Sequence, residues 1–318
     1  MRAGACALTL LSAPINASVL QALEEGPLSL LDLRRAAGSP PQTTVRVHLR
    51  ALEEAGILER SRDNGFPLSV TYRIKDAGLE LLQVGAILRT WLQMAPEGPI
   101  ALGTPTAKSS IKALVEGWSC SIVRALAARP LSLTELSRLI SDLTYPSLER
   151  RLGAMRLAGQ IERCPGAARR TPYRATEWLR RATAPLTAAA RWERRHLAAD
   201  TAPIGKSDIE SVFLLSVPLL ALPSHLSGTC RMAVGGSGNG TGGRLAGVVI
   251  GVEEGRVTSC VARLQQEAEA WVVGSPSAWL EAVLDGDHSA LERGGELELA
   301  AELVRGLHGA PLRAVERT

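Results

Sequence analysis

The chain has 318 residues, long enough for two or three domains, each with a core of its own. Its composition is that of an ordinary globular protein with few aromatic residues (3 %), and no apolar run of ~20 residues offers a membrane span. The net charge of +4 hides a division: residues 1–200 hold 27 Lys and Arg against 18 Asp and Glu, net +9, while residues 201–318 hold 9 against 14, net −5. Within the first part, residues 1–93 come to +1 and residues 108–200 to +9, so the positive field sits on the second stretch. Such a field suits a polyanion partner, and the acidic remainder does not.

The chain opens with MRAGACALTLLSAPINAS, which mimics a weak signal peptide. An internal repeat gives it another meaning. GPLSLLDL at 26–33 returns as RPLSLTEL at 129–136, an offset of 103 that carries Leu49 onto Leu152, Ala55-Gly56 onto Ala158-Gly159 and Glu59-Arg60 onto Glu162-Arg163. The offset then falls to 101, so that Tyr72-Arg73 meets Tyr173-Arg174 and Trp91 meets Trp192. In this register Ile15 stands opposite Trp118, and the opening run becomes the entry to a first helix. Five scattered cysteines (Cys6, Cys120, Cys164, Cys230, Cys260), odd in number and without CxxC spacing, point to a reducing, cytoplasmic setting.

Each copy reads as three short helices, a hairpin and a final helix. Trp118, Ile122 and Leu126 share one helical face, Pro130 ends that helix, and Ser132 or Thr134 caps the next. The third helix turns Leu148, Leu152 and Met155 inward, as its counterpart does Val45, Leu49 and Leu52. Gly56 and Gly159 fall where a helix end wants a left-handed residue. Two short strands follow in each copy, 58–60 with 70–73 and 161–163 with 171–174, joined by turn-rich tips. Three helices and a two-stranded hairpin make a winged helix-turn-helix. Linkers at 94–107 and 199–206 bound the blocks, giving winged helix-turn-helix domains at 1–93 and 108–198 and a third domain at 207–318.

The second helix of such a motif enters the major groove, and the wing lies along the backbone. With the apolar residues inward, the first copy offers Gln42, Thr43, Arg46, His48 and Arg50 on its outer face and Arg60, Arg62 and Arg73 on its wing. The second copy offers Tyr145, Ser147, Glu149, Arg150 and Arg151, with Arg163, Arg169, Arg170 and Arg174 on the wing. Arginine and glutamine can each bind a base edge with two bonds, whereas wing arginines neutralise phosphates. His48 reads as a plain surface residue.

EGWSCSIVRAL (116–126) followed by PLSLTEL resembles the opening of HxlR-type winged-helix regulators, and LRALEEAGILER (49–60) with FPLSVTYRIKDAGLELL (66–82) is similar to the continuation. The family's wing Pro, Tyr and Leu-Thr-x-x-Gly run stand here as Pro67, Tyr72 and Ile74-Lys75-Asp76-Ala77-Gly78, while the first copy lacks the Trp (Ile15) and the second the glycine (Leu179). The resemblance implies binding of double-stranded DNA. Its members carry one such domain and pair as homodimers, so two copies in one chain either imitate that dimer covalently or leave the first in a structural role.

Residues 207–318 read as an apolar helix interrupted by Pro218 and Pro223, strands at 230–234, 244–252, 257–264 and 269–274, and helices around 277–286 and 296–307. This is an α+β order, with strands grouped and helices at both ends. GGSGNGTGG (235–243) lacks the Lys-Ser/Thr of a phosphate loop and reads as a hairpin tip. The Trp279-Leu280 pair, the Gly286 turn and the Gly294-Gly295 turn resemble the C-terminal half of sterol carrier protein-like domains. That resemblance implies an apolar cavity between sheet and helices, with Leu215, Leu219, Leu220, Val249, Trp271 and Leu284 as lining candidates and a small apolar ligand.

The whole chain is therefore expected to be α+β: two winged helix-turn-helix domains and a sterol-carrier-like domain. No GxSxG, HExxH or metal-ligand spacing marks an enzyme, and no cofactor, metal or membrane is expected. The expected function is a sequence-specific transcriptional regulator acting as a covalent pseudo-dimer, as monomer or homodimer. The alternative is a lipid-binding or protein-interaction module whose winged helices do not read DNA.

Overall fold

The computed structural model describes residues 4–63, 69–117, 121–164, 171–197, 204–235, 246–262 and 264–316. Trp118, Arg169, Arg170 and most of the glycine-rich segment lie outside these residues.

The first copy runs α1 (Ala5–Ser12), α2 (Pro14–Glu24), β1 (Leu28–Ser29), α3 (Leu30–Ala36), α4 (Gln42–Glu54), β2 (Leu58–Asp63), β3 (Ser69–Ile74) and α5 (Asp76–Gln93). The opening holds two helices where one was expected. Proline lacks the N–H that an interior helical position donates, so the chain turns extended at Ala13 and restarts with Pro14 in the first turn. Val45, Leu49 and Leu52 are buried on α4 as the spacing predicts, and Gly56 takes φ 68 just beyond its end.

The second copy follows the same order: α6 (Pro105–Gly117), α7 (Ser121–Ala128), α8 (Leu133–Leu139), α9 (Tyr145–Leu157), β4 (Ile161–Arg163) and β5 (Tyr173–Ala175). Its expected final helix is split into α10 (Glu177–Arg181) and α11 (Thr183–His196). Pro185 is the reason: it cannot donate to the carbonyl four residues back, so the helix restarts at Thr183 with the proline in its first turn.

The repeat is visible bond by bond. Leu28 pairs with Tyr72 across the β1–β3 ladder, and Leu131 pairs with Tyr173 in the second copy. Ser29 accepts the N–H of Asp32 at the start of α3, and Ser132, not Thr134, accepts that of Glu135 at the start of α8. In the latter case Glu135 returns the bond to the Ser132 N–H at 2.8 Å, completing a capping box. PLSL is thus a strand position followed by a helix cap, which is why it recurs.

The third block runs α12 (Lys206–Ser216), a 3-10 turn at Val217–Leu219, β6 (Gly228–Val234), β7 (Ala246–Glu253), β8 (Arg256–Val261), β9 (Ala270–Gly274), α13 (Pro276–Asp285), β10 (Glu292–Gly295) and α14 (Leu297–Glu316). Its sheet has the order β10-β9-β6-β7-β8, with β6 and β9 parallel and the other neighbours antiparallel. Strand β10 stands where only a turn was expected. Gly294 fits there because the Trp271 ring lies over it, closer than a Cβ would allow.

The chain forms two compact units, Met1–Lys112 with Ala188–Ala202, and Ala113–Thr187 with Pro203–Thr318. In the first, the end of α11 packs on the first copy. Trp192 is buried, and its Nε1–H donates to the Ala77 carbonyl at 2.7 Å. Helix α1 has no side-chain cap of its own; the Glu193 carboxylate accepts the N–H groups of Gly4 (2.6 Å) and Ala7 (2.9 Å) instead. Burial pushes the Glu193 carboxyl above its ordinary range, and these N–H bonds offset part of that rise.

In the second unit, Arg180 donates to the carbonyls of Leu214 (2.8 Å) and Ala127 (3.3 Å), a cation set against the ends of α12 and α7. Arg124 on α7 meets Glu210 on α12 at 2.9 Å. Phe213 and Trp279 pack edge to face at 4.6 Å in the core, and the Trp279 indole N–H donates to the Ala233 carbonyl at 2.9 Å. Burial pushes the thiols of Cys230 and Cys260 up to about 12.

Candidate nucleic-acid interface

On α4 the amphipathic pattern leaves Gln42, Thr43, Arg46 and Arg50 exposed. Val47 stands among them, 68 % exposed. His48 is not a plain surface residue. It is half-buried, and its Nδ1 lies 2.9 Å from the Asn16 side-chain oxygen. Asn16 is itself buried and donates to the Leu10 carbonyl at 2.9 Å. Burial first, then the nearby Lys108 ammonium, holds the His48 imidazole below its ordinary range. The sequence pattern missed this because the i, i+3, i+4 rule places His48 at the edge of the apolar face, where either side is open to it.

On α9, Arg150 is exposed, Tyr145 is 48 % exposed, and Ser147 and Arg151 are half-buried. Residue 150 corresponds in register to Val47, while Arg46 and Arg50 correspond to Glu149 and Gly153, so the two copies carry their cations at different positions of this face.

The hairpins divide the arginines into two kinds. Arg73 faces Glu59 across the β2–β3 ladder at 3.8 Å, and Arg174 faces Glu162 across β4–β5 at 2.7 Å. The same cross-strand ion pair thus occurs in both copies, and each of these arginines has part of its charge answered within the protein. Arg62 is exposed. Arg163 is different again: its guanidinium stacks over the Tyr173 ring at 5.7 Å and has a bond of 3.5 Å to the Tyr173 hydroxyl.

Arg163 and Tyr145 meet at a polar basin of about 270 Å³ lined also by Ser132, Thr134, Thr171 and Tyr173. It brings the start of α8, the start of α9 and the hairpin to one place. Stacking on Tyr173 holds the exposed Arg163 side chain at this basin, a suitable seat for a backbone phosphate. Sequence reasoning missed Thr134 and Thr171 as members. The signal was the Thr134-for-Leu31 difference in the repeat, because Leu31 leaves apolar surface (52 % exposed) where Thr134 supplies a hydroxyl.

A family model described as a helix-turn-helix domain matches residues 10–61. The first copy carries a helix-turn-helix. Its match runs from the end of α1 through β2 and contains α3 and α4, the two helices of the motif. No curated protein matches the chain. Among the described residues no single helix is long and apolar enough to cross a membrane.

The six lining candidates of the third block do not meet on one side of the sheet. Val249 and Trp271 both pair with Arg231, so the three residues share a face. The alternate positions, Met232, Val248, Ile250 and Val272, are fully buried. That second face is the helix side: a Cβ at Gly228, in the same alternation, would touch Leu299 of α14. Leu215 is buried on α12, Leu219 and Leu220 close the 3-10 turn half-buried, and Leu284 is half-buried on α13. Val249 and Trp271 therefore stand on the opposite face of the sheet from Met232, Val272 and Gly228, the neighbour of Leu299. Apolar residues on both faces of β7 made this alternation unreadable from sequence.

Proposed function

We propose that the chain is a sequence-specific, DNA-binding transcriptional regulator in which two winged helix-turn-helix copies of HxlR type act as a covalent pseudo-dimer. One observation carries the reading. The strand pairing, serine cap and cross-strand ion pair of the first copy recur in the second, so the second repeats the architecture on which the first carries its helix-turn-helix. Helix α11, from the second copy, packs on α1 and α5 of the first through Trp192, Glu193 and Arg195. Terminal helices shared in this way are what a pair of fused subunits needs.

The copies divide the work. The second, with net +9, Arg150 exposed and Arg163 poised at its polar basin, supplies most of the phosphate attraction. The first reads bases through Gln42, Arg46 and Arg50. The acidic third block, sterol-carrier-like in its order of elements, braces the second copy through Arg124–Glu210 and Arg180. An apolar effector within it would find Leu215, Leu219, Leu220 and Leu284 on its helices and 3-10 turn and Val249 and Trp271 on its sheet. The exposed Leu31 and Val47 of the first copy favour a second reading, in which that copy contacts a protein and only the second binds DNA.

Titration of a duplex containing a selected site, with excess competitor DNA, tests the proposal. A regulator keeps its site under competition and loses affinity steeply with salt. A module that does not read DNA yields no competitor-resistant binding.

A further inference from the structure

A cleft of about 610 Å³ opens within the first unit, away from the surface discussed above. Three segments wall it. Pro14, Ala17, Ser18 and Gln21 follow one another at i, i+3, i+4 and i+7, so they form a single face of α2; Arg89 and Gln93, at i and i+4, form a face of α5. The third wall is the chain that joins the two copies, including Ile100 and Leu102.

That wall is anchored at both ends. The Ile100 N–H donates to the Leu92 carbonyl at 3.1 Å, and the Thr104 hydroxyl accepts the Ala107 N–H at 3.1 Å, capping α6. Gly103 holds φ 91 against Pro14, where a Cβ would lie 3.7 Å from the proline ring.

Ser18, Gln21, Arg89 and Gln93 make no side-chain hydrogen bond or ion pair among the described residues. Arg89 is half-buried and is the one charged residue among the described residues that line the cleft. A planar fork of donors flanked by two amides and a hydroxyl matches a carboxylate, and the Ile100 and Leu102 side matches an apolar body. The volume falls in the range of small-molecule sites, ~300–1,000 Å³.

We propose that this cleft binds a small amphipathic carboxylate, an aromatic or medium-chain monoacid, with Arg89 holding its carboxyl group. The position suits an effector. Asn16 lies on α2 between Pro14 and Ala17 and bonds to His48 of α4, while the third wall leads directly into α6. A ligand that presses on α2 and the connecting chain thus bears on the helix that reads DNA, to the extent of its different affinity for the two arrangements. That consequence rests on the DNA-binding reading; capture of the acid does not, so the two fail separately.

Equilibrium dialysis of the full chain against labelled benzoate and octanoate, with benzamide and inorganic phosphate as counterparts, tests it. The wild type should take up one acid per chain saturably and prefer benzoate to benzamide and phosphate. Arg89→Gln should weaken the acids about ten-fold or more while leaving benzamide unchanged, and Gln21→Trp, which fills the cleft from an exposed position, should block both. Thermal melts establish that each variant is folded. The proposal is overturned if neither acid binds saturably up to millimolar concentration, if phosphate binds in preference to both, or if a folded Arg89→Gln binds the acids as the wild type does.

Discussion

Arg124 Nε lies 2.9 Å from Glu210 Oε1, and the other oxygen of the same carboxylate accepts the Gly247 N–H at 3.1 Å. One buried acid thus ties together α7 of the second copy, α12 and strand β7. The arginine is half-exposed while the acid is buried, so the carboxylate has more to lose. Glu210→Ala strands the Gly247 N–H and frees Arg124, and it should destabilise the second unit by about 2 kcal/mol. Arg124→Ala should cost more than a surface ion pair, because it leaves Glu210 buried without its cation. Chemical denaturation of the two variants checks both.

Arg163 and Arg174 sit on the same hairpin but differ in partner. Arg163→Ala should weaken DNA binding across all sequences and lower the slope of log K against log salt by about one. Arg174→Ala should do less, since Glu162 already answers that charge; Glu162→Gln, which frees Arg174, should strengthen binding. Fluorescence anisotropy over a range of salt measures all three.

Helix α1 depends on a carboxylate from the other end of the repeat. Glu193→Ala leaves the Gly4 and Ala7 N–H groups without their acceptor and should cost about 1–3 kcal/mol. Hydrogen exchange should rise first in α1, before α3 or α4 responds.

His48 gives the first unit a sensitivity to acid. Its folded pKa is below the ordinary imidazole value. The unfolded chain therefore takes a proton first, and stability is lost as pH falls from about 6.5 toward the lowered value. Glu193 acts in the opposite sense: its raised pKa means that its contribution is present at low pH and is lost as pH rises through the folded value. Comparing His48→Gln with wild type isolates the histidine. The stability difference between them should change below pH ~6.5 and stay level above it.

Much of the fold was legible because the chain states it twice. A serine followed three residues later by an acid, after a proline and a leucine, is a cap signal wherever it occurs, and its recurrence at Ser29 and Ser132 marks corresponding helix starts. The inward leucines of α4 and α9 were equally plain. Less legible were features set by single residues at a distance. Nothing in the local sequence around Glu193 tells that it caps a helix that starts 189 positions earlier at Gly4. Pro14 and Pro185 were readable as breaks, yet whether a proline ends a helix or opens the next depends on where the following segment packs. The residues of β10, ERGG, carry no strand signature, and that strand exists because it lies beside Trp271 and its neighbours on β9. In the candidate interface the arginines were legible as exposed charge, but their partners were not. Only the ladder register shows that Arg73 and Arg174 each face a glutamate while Arg163 faces a tyrosine ring.

Selection from random duplex DNA tests the central claim most directly, with wild type set beside Arg46→Ala/Arg50→Ala and Arg150→Ala/Arg163→Ala. The two-copy account predicts a site with two half-sites, each double variant degrading the preference at one of them. Enrichment of a single half-site that only the second pair affects, or of no sequence at all, would contradict it.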